Sequence, residues 1–393
     1  MANENEGQAL REYGNRKKRY KKRRRAIIIA VILILAVLGS IYLIRLYNRN
    51  YNSYSVIKKV DVSATSAVGY LNYGTSIVKY SKDGAVAVDK SGRLLWNGSY
   101  EMSTPIVDTC DNYVAIADKD GKSIHIFNQK GEVGNGIQTR YNIQKVEVAR
   151  QGVVAALMET ENGNDIKLYD ATDGTELWDK TTSVNTEGYP MDFSMSDDGK
   201  KLVFSYLSYA DGKLVDNISF YNLGEVGQNF TDGIVGGWAF AEGIIVPRVA
   251  FVNNDTACVF KDNGFLIYSV AEKPKLVHEE DFEGKIQSIL YNNKYVGVVL
   301  QKDGTSTKQL LLYDLSGKKV LDKTLDFDYE KISLSDNEIV MYDNMSCLIM
   351  KLNGKVKFKY TFDSNIEAIY SINNIDQYYL ANDSKLYEIQ LKE

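Results

Sequence analysis

Histidine is nearly missing from this chain: two residues among 393, His125 in Ser-Ile-His-Ile-Phe and His278 in Leu-Val-His-Glu. Both lie inside strand-like runs. With no further histidine and no Gly-x-Ser-x-Gly elbow, neither a multi-histidine metal centre nor a serine-histidine hydrolase can be assembled. Cysteine is scarce too. Cys110, Cys258 and Cys347 are too widely separated for a disulfide framework or a Cys-x-x-Cys zinc pair. They read as small buried hydrophobes, with one pairing left open. Beyond residue 56 there is also no long stretch with a 3.6-residue apolar period, which excludes a helical domain there.

What is present begins with a charge boundary. Arg16, Lys17, Lys18, Arg19, Lys21, Lys22, Arg23, Arg24 and Arg25 make nine of ten consecutive residues cationic, and the nineteen residues from Ala26 through Ile34 to Ile44 carry no charge. Nineteen helical residues at about 1.5 Å each match the hydrocarbon thickness of a bilayer. A cleaved signal peptide has a shorter apolar region and a small-residue cleavage site. Here Tyr42-Leu43-Ile44-Arg45 follows instead. The expectation is a retained anchor, oriented by the basic block toward the cytoplasm. The same block could be a nucleic-acid patch, but juxtamembrane cations are accounted for by anionic lipid. Residues 1–45 hold 11 Lys/Arg against 3 Glu, whereas the remainder holds 36 Lys/Arg against 48 Asp/Glu. An acidic outer module disfavours nucleic acid and anionic polymers as partners.

Tyrosine is abundant at 28 residues, which leans toward strands. Short β-branched and aromatic runs alternate with Gly, Asn and Asp, and a larger unit recurs. Its clearest copy is Ile166-Lys167-Leu168-Tyr169-Asp170-Ala171-Thr172-Asp173-Gly174-Thr175-Glu176-Leu177-Trp178. A second runs from Ala85 through Asp89 and Gly92 to Trp96, and others centre on Asn128, on Asp314 with Gly317, and on Asn353. The side chain of the Asp or Asn caps a tight turn, glycine takes the left-handed angle, and an apolar pair resumes the sheet. Anchors near Val86, Ile126, Leu168, Phe220, Ile267, Leu312, Ile349 and Leu386 recur about every 43 residues, the period of a four-stranded propeller blade. The last unit is one strand short, and Val56 to Val62 is a strand without a unit. We expect it to complete the last blade and close the ring. Two β-sandwiches are the competing architecture, and the irregular units 190–231 and 232–281 leave seven blades open.

The copies at 166–178 and 85–96 resemble the repeat of pyrroloquinoline-quinone-type, quinoprotein-like propellers, with Thr175 and Arg93 where that repeat has Lys. Similar repeats occur in outer-membrane assembly lipoproteins and in membrane-anchored surface proteins of Gram-positive bacteria, and the overall layout is most like the last group. The resemblance implies a cofactor cavity, a calcium ion and a catalytic Asp in the enzymes of that family. With only Trp96, Trp178 and Trp238 present, we assign none of these here.

Other chemical candidates have plain readings. Asp118-Lys119-Asp120-Gly121 opens like a calcium loop but has Gln129 where the twelfth position needs Glu. Ser196-Asp197-Asp198-Gly199 is an acidic turn, and Glu279-Glu280-Asp281 a solvated one. Gly233 to Trp238 reads as a crossing between blades. The expectation is therefore an all-β protein: a propeller of eight, or else seven, four-stranded blades behind one transmembrane α-helix. Its parts are a cytoplasmic basic tail (1–25), a membrane helix (26–46), a linker (47–55) and an extracytoplasmic propeller (56–393). The expected role is a non-enzymatic, membrane-anchored scaffold that binds a protein outside the cell, with no nucleic acid, no cofactor and no catalytic or metal-binding residue. The alternatives are a hydrolase or cofactor enzyme with its site in the central channel, or a ligand sensor acting through a partner.

Overall fold

The computed structural model describes residues 20, 22, 24–25, 27–42, 45, 48–60, 67–74, 76–210, 212–302, 304–373, 375–382 and 385–393. Ala26, Ile44, Arg16, Lys17, Lys18, Arg19, Lys21 and Arg23 lie outside them, as do Asp61 and Val62. Residues 27–42, including Ile34, form a continuous helix with every side chain exposed. No helix among the described residues is long and apolar enough to cross a membrane.

Tyr51–Lys392 forms the second compact unit. It is an eight-bladed propeller, and neither the seven-blade nor the sandwich alternative survives. Seven four-stranded antiparallel blades follow in chain order, starting at Gly69, Pro105, Asn142, Tyr189, Arg248, Lys285 and Lys331. In blade 2 the outer position is split between Gly131–Glu132 and Ile137–Gln138. All eight sequence anchors fall on third strands. Blade 8 has three strands from the C-terminus (Ala368–Ser371, Gln377–Asn382, Lys385–Lys392), and its outer strand is the N-terminal Ser53–Val60. That strand pairs antiparallel from Ser53 opposite Lys392 to Val60 opposite Leu386. The linker is thus shorter than expected: residues 53–55 already belong to the sheet, and Tyr51 is buried and donates its amide to Lys357 O at 2.8 Å.

The core is not central. It is divided into eight apolar layers, one between each pair of neighbouring blades. Middle strands are covered on both faces, so their sequences are apolar almost without interruption. In blade 4, Phe204 faces blade 3 while the adjacent Val203 faces blade 5. This alternation follows from the two-residue period of a strand.

The repeated turn joins third to fourth strands. The Asp89 carboxylate accepts the amides of Ser91 and Arg93 at 2.8 and 2.9 Å, Asp170 accepts that of Thr172 at 2.7 Å, and Asp314 accepts those of Ser316 and Lys318 at 2.9 and 3.1 Å. Gly92, Gly174 and Gly317 take φ values of +69°, +73° and +86°. Trp96 and Trp178 stand just past the turn, on the outer strands. Trp96 stacks on Phe127 of blade 2 at 4.6 Å, and Trp178 meets Tyr221 of blade 4 edge-on at 5.8 Å. Each is a wedge between blades.

Blade 4 departs from the pattern. Its second and third strands, Lys201–Ala210 and Lys213–Asn222, have ten residues each, the longest among the described strands. Its third-to-fourth connection, residues 223–233, contains two short 3-10 turns. This insertion delays the fourth strand, so Ile234–Ala239, expected to cross between blades, is the outer strand of blade 4.

Val60 is 1% exposed and Ile57, three residues earlier on the same closing strand, is 47% exposed. Val60→Asp buries an unpaired charge at the closure and is expected to abolish or strongly depress the cooperative thermal transition. Ile57→Asp should leave the melting temperature nearly unchanged. Equal effects would show that the strand is not docked as described.

Candidate functional site

Antiparallel pairing gives the ring two distinct faces. First-to-second and third-to-fourth turns lie on one, here the turn face. Second-to-third hairpins and blade-to-blade linkers lie on the other, the hairpin face. The closing strand starts at Ser53, beside the end of the last strand at Lys392, and so enters from the turn face.

The innermost strands line the channel, and charged side chains in them clasp neighbouring blades. Asp108 Oδ2 of blade 2 accepts Val148 N–H of blade 3 at 2.8 Å. Glu147 Oε2 of blade 3 accepts Met195 N–H of blade 4 at 2.6 Å, and Asp192 Oδ2 of blade 4 accepts Val249 N–H of blade 5 at 2.9 Å. An open inner edge is thereby satisfied by the preceding blade's side chain. Lys145 Nζ sits between Asp192 Oδ1 at 2.6 Å and Glu147 Oε1 at 2.9 Å. Arg248 donates to Tyr291 Oη at 3.0 Å and lies 3.6 Å from Asp192. Asp108, Lys145, Glu147 and Arg248 line a cavity of about 430 Å³ that opens on the hairpin face, with Ile106, Pro190 and Met191 in its apolar surface, while the buried Asp192 holds Lys145 and Arg248 from behind that lining.

The electrostatics follow from this crowding. Burial, then repulsion from Glu147, pushes the Asp108 carboxyl up to about 7, although part of the residue still reaches the lumen. Burial disfavours the Lys145 ammonium, but the carboxylates of Glu147 and Asp192 outweigh it and raise its pKa. The cluster can bind a polar ligand or exchange a proton near neutral pH.

Sequence reasoning did not find these five residues. They come from four blades across 140 positions, and the only local signal is a charge or two inside a first strand, as in Met-Asp-Phe and Lys-Val-Glu. The residues singled out from the repeat, Asp89, Gly92, Trp96, Asp170, Gly174, Trp178, Asp314 and Gly317, lie on separate outer turns and form no joint site. Asp118 ends a strand and accepts the amides of Ser103 and Thr104. The acidic run at 279–281 is on the outer strand of blade 5, where Glu279 and Asp281 hold the buried Lys261 ammonium and Glu280 meets His278. No group of three His, Cys, Asp or Glu suited to a metal occurs among the described residues. All three cysteines are free thiols.

A second feature of the hairpin face is the blade 4 hairpin. Its first-strand neighbour ends at Leu207 and its fourth-strand neighbour at Asn217, so residues 208–210 and 212–215 project beyond the blade. Tyr209 and Leu214 are cross-strand partners there, 73% and 53% exposed. The hairpin is braced: Asp216 accepts Ser205 Oγ at 3.0 Å and Val246 N–H at 2.9 Å, and Lys213 pairs with Glu242 at 2.6 Å.

Residues 47–391 match a family described as a family of unknown function (DUF5711), and the chain belongs to it. A search of the curated proteins finds no match. Among solved structures, the C-terminal WD40 domain of Sif2 is similar at a TM-score of 0.58 with 12% identity, covering 87% of this chain and 99% of that one. A eukaryotic initiation factor is similar at 0.55 with 11% identity, covering 84% and 91%. A chain of the hydrazine synthase of Kuenenia stuttgartiensis aligns at 0.47 with 12% identity, covering 77% and 98%. At these identities the likeness establishes the propeller fold alone.

Asp108→Asn keeps the acceptor for Val148 N–H and removes the ionisation. Because the folded pKa lies above the unfolded one, the native carboxyl costs stability as pH rises from about 4 to 7. The variant should therefore melt higher than the parent at pH 8 and match it at pH 4. A constant difference across that range would refute the assignment.

Proposed function

We propose that this family member is a non-enzymatic, membrane-anchored scaffold whose propeller lies outside the cytoplasm and binds a protein partner through its hairpin face. The observation that carries this reading is the braced blade 4 hairpin, which holds Tyr209 and Leu214 in solvent as a cross-strand pair. Exposed aromatic groups such as Tyr209 are what protein interfaces use as anchors, and Leu214 beside it adds apolar area. The charge boundary between Arg25 and the apolar run beginning at Ala26 supports anchoring with the N-terminus inside, and the acidic remainder favours a partner with a basic surface. The chain reaches the ring at the turn face, so a tether there leaves the opposite face to partners. In this reading the likeness to quinoprotein-type repeats is one of scaffold, as in the membrane-anchored Gram-positive proteins of similar layout.

A second reading has its own support. Asp108, Lys145, Glu147 and Arg248 line one cavity in the channel, with Asp192 holding Lys145 and Arg248 behind it, as a ligand-sensing or enzymatic site would require.

Crosslinking of the full chain in its native cells, followed by purification and mass spectrometry, separates the two. The scaffold reading expects one reproducible partner, reduced several-fold by Tyr209→Ser with Leu214→Ser and unchanged by Asp108→Asn. A partner that is lost only with Asp108→Asn, or none at all, would favour the channel.

A further inference from the structure

The outer strand of blade 4, Ile234-Val235-Gly236-Gly237-Trp238-Ala239, is an unprotected sheet edge. Exposed edges template further strands and are normally blunted by charge, interruption or cover. The other outer strands follow this rule. Blades 3, 5, 6, 7 and 8 carry Asp179 and Lys180, Glu279 and Glu280, Asp322 and Lys323, Lys357 and Lys359, and Lys58 and Lys59 there. The outer position of blade 2 is broken into two-residue pieces, and one of these, Gly131–Glu132, lies against the uncharged outer strand of blade 1. Ile234–Ala239 has no charge, no proline and no neighbour of this kind.

Packing explains how the edge became bare. A Cβ at Gly236 would come within 2.6 Å of Pro274, and one at Gly237 within 2.8 Å of the Ile218 carbonyl oxygen. Glycine is required on the inside, and on the outside it leaves the main chain without side-chain shielding. Outside the pairing with the third strand, nothing among the described residues bonds the backbone from Val235 to Ala239. At either end stand Ile234 and Trp238, 38% and 42% exposed. Trp238 packs tilted against Tyr268 (5.1 Å, 32°) and edge-on against Phe220 (6.0 Å).

We infer that this edge binds an extended, uncharged segment of a partner protein, which adds a fifth strand to blade 4 by main-chain hydrogen bonds and seats side chains on Ile234 and Trp238. The complementary group for a bare row of N–H and C=O is another strand, and alternate side chains supply selectivity. A second copy of this chain is disfavoured by size. Six residues span only about 20 Å, which accommodates a peptide but not the roughly 1,000 Å² that a stable two-copy contact needs. The inference rests on the scaffold reading and adds a second contact to it.

The full chain in detergent is mixed with the peptide acetyl-Thr-Val-Thr-Val-Thr-Val-amide, and hydrogen exchange is followed by mass spectrometry. Exchange in residues 234–239 should slow by about tenfold or more, while Lys275–Asp281 on blade 5 is unaffected. The same peptide N-methylated at alternate residues should give no protection. Ile234→Lys with Ala239→Lys, both at exposed positions, should abolish protection without changing the circular dichroism or melting temperature. Absence of protection at saturating peptide, equal protection of every outer edge, or protection by the N-methylated peptide would each overturn the inference. So would a wild-type dimer by sedimentation that the lysine pair converts to monomer, because the occupant would then be a second copy. Cellular partner capture that depends on Tyr209 and Leu214 but is insensitive to the lysine pair would retire the edge and leave the scaffold reading standing.

Discussion

Ring closure is the constraint on which the rest depends. Eight blades bury their apolar surface in the layers between them, so an open ring would leave two apolar faces and two sheet edges in water. The chain closes it by pairing Ser53–Val60 with Lys385–Lys392 across the whole length of the domain. Joining such distant segments carries an entropic cost that grows only slowly with separation, and several contacts offset it. Lys58 Nζ reaches Ser91 O at 2.6 Å, and Tyr370 Oη reaches Tyr70 O at 2.7 Å, both linking blade 8 to blade 1. Within blade 7 the buried Glu338 carboxylate takes the Lys357 ammonium at 2.5 Å, and the Tyr378 hydroxyl of blade 8 reaches the same carboxylate at 2.7 Å. The hydroxyl is the contact that crosses between the blades, and it leaves no carboxylate oxygen of Glu338 buried without a partner.

Closure also divides the molecule by role. The turn face receives the chain and carries the capped turns, alike in blades 1, 3 and 6, together with the inserted connection of blade 4. The hairpin face carries the projecting ribbon of blade 4 and the mouth of the charged cavity. A scaffold whose blades differ in their connections can acquire a binding surface without disturbing its core. Blade 4 concentrates the departures, in its long hairpin, its inserted 3-10 turns and its bare outer strand, and it supplies both contacts proposed here.

Much of the fold was legible because its information is local. Asp170, Gly174 and Trp178 are close in sequence and do their work within a few residues, so a repeating turn could be recognised and eight third strands counted. The late fourth strand of blade 4 was not legible. Gly236 and Gly237 look like a loop, and only the positions of Pro274 and the Ile218 carbonyl show why a strand requires glycine there.

The channel cluster lies at the far end of this scale. Asp108, Lys145, Glu147, Asp192 and Arg248 have no shared motif, and within any one first strand there is no more than a charge or two among apolar neighbours. Their meeting, and the displaced acidity of Asp108, exist only once four blades are placed side by side. The sequence by itself determined the repeat, the blade count it favours, the closing strand and the charge boundary before residue 26, because each rests on short-range periodicity or composition. Only the tertiary structure decided which charges share a cavity, which hairpin stands clear of the ring and which sheet edge is left uncovered, because these depend on how blades distant in the chain pack against one another.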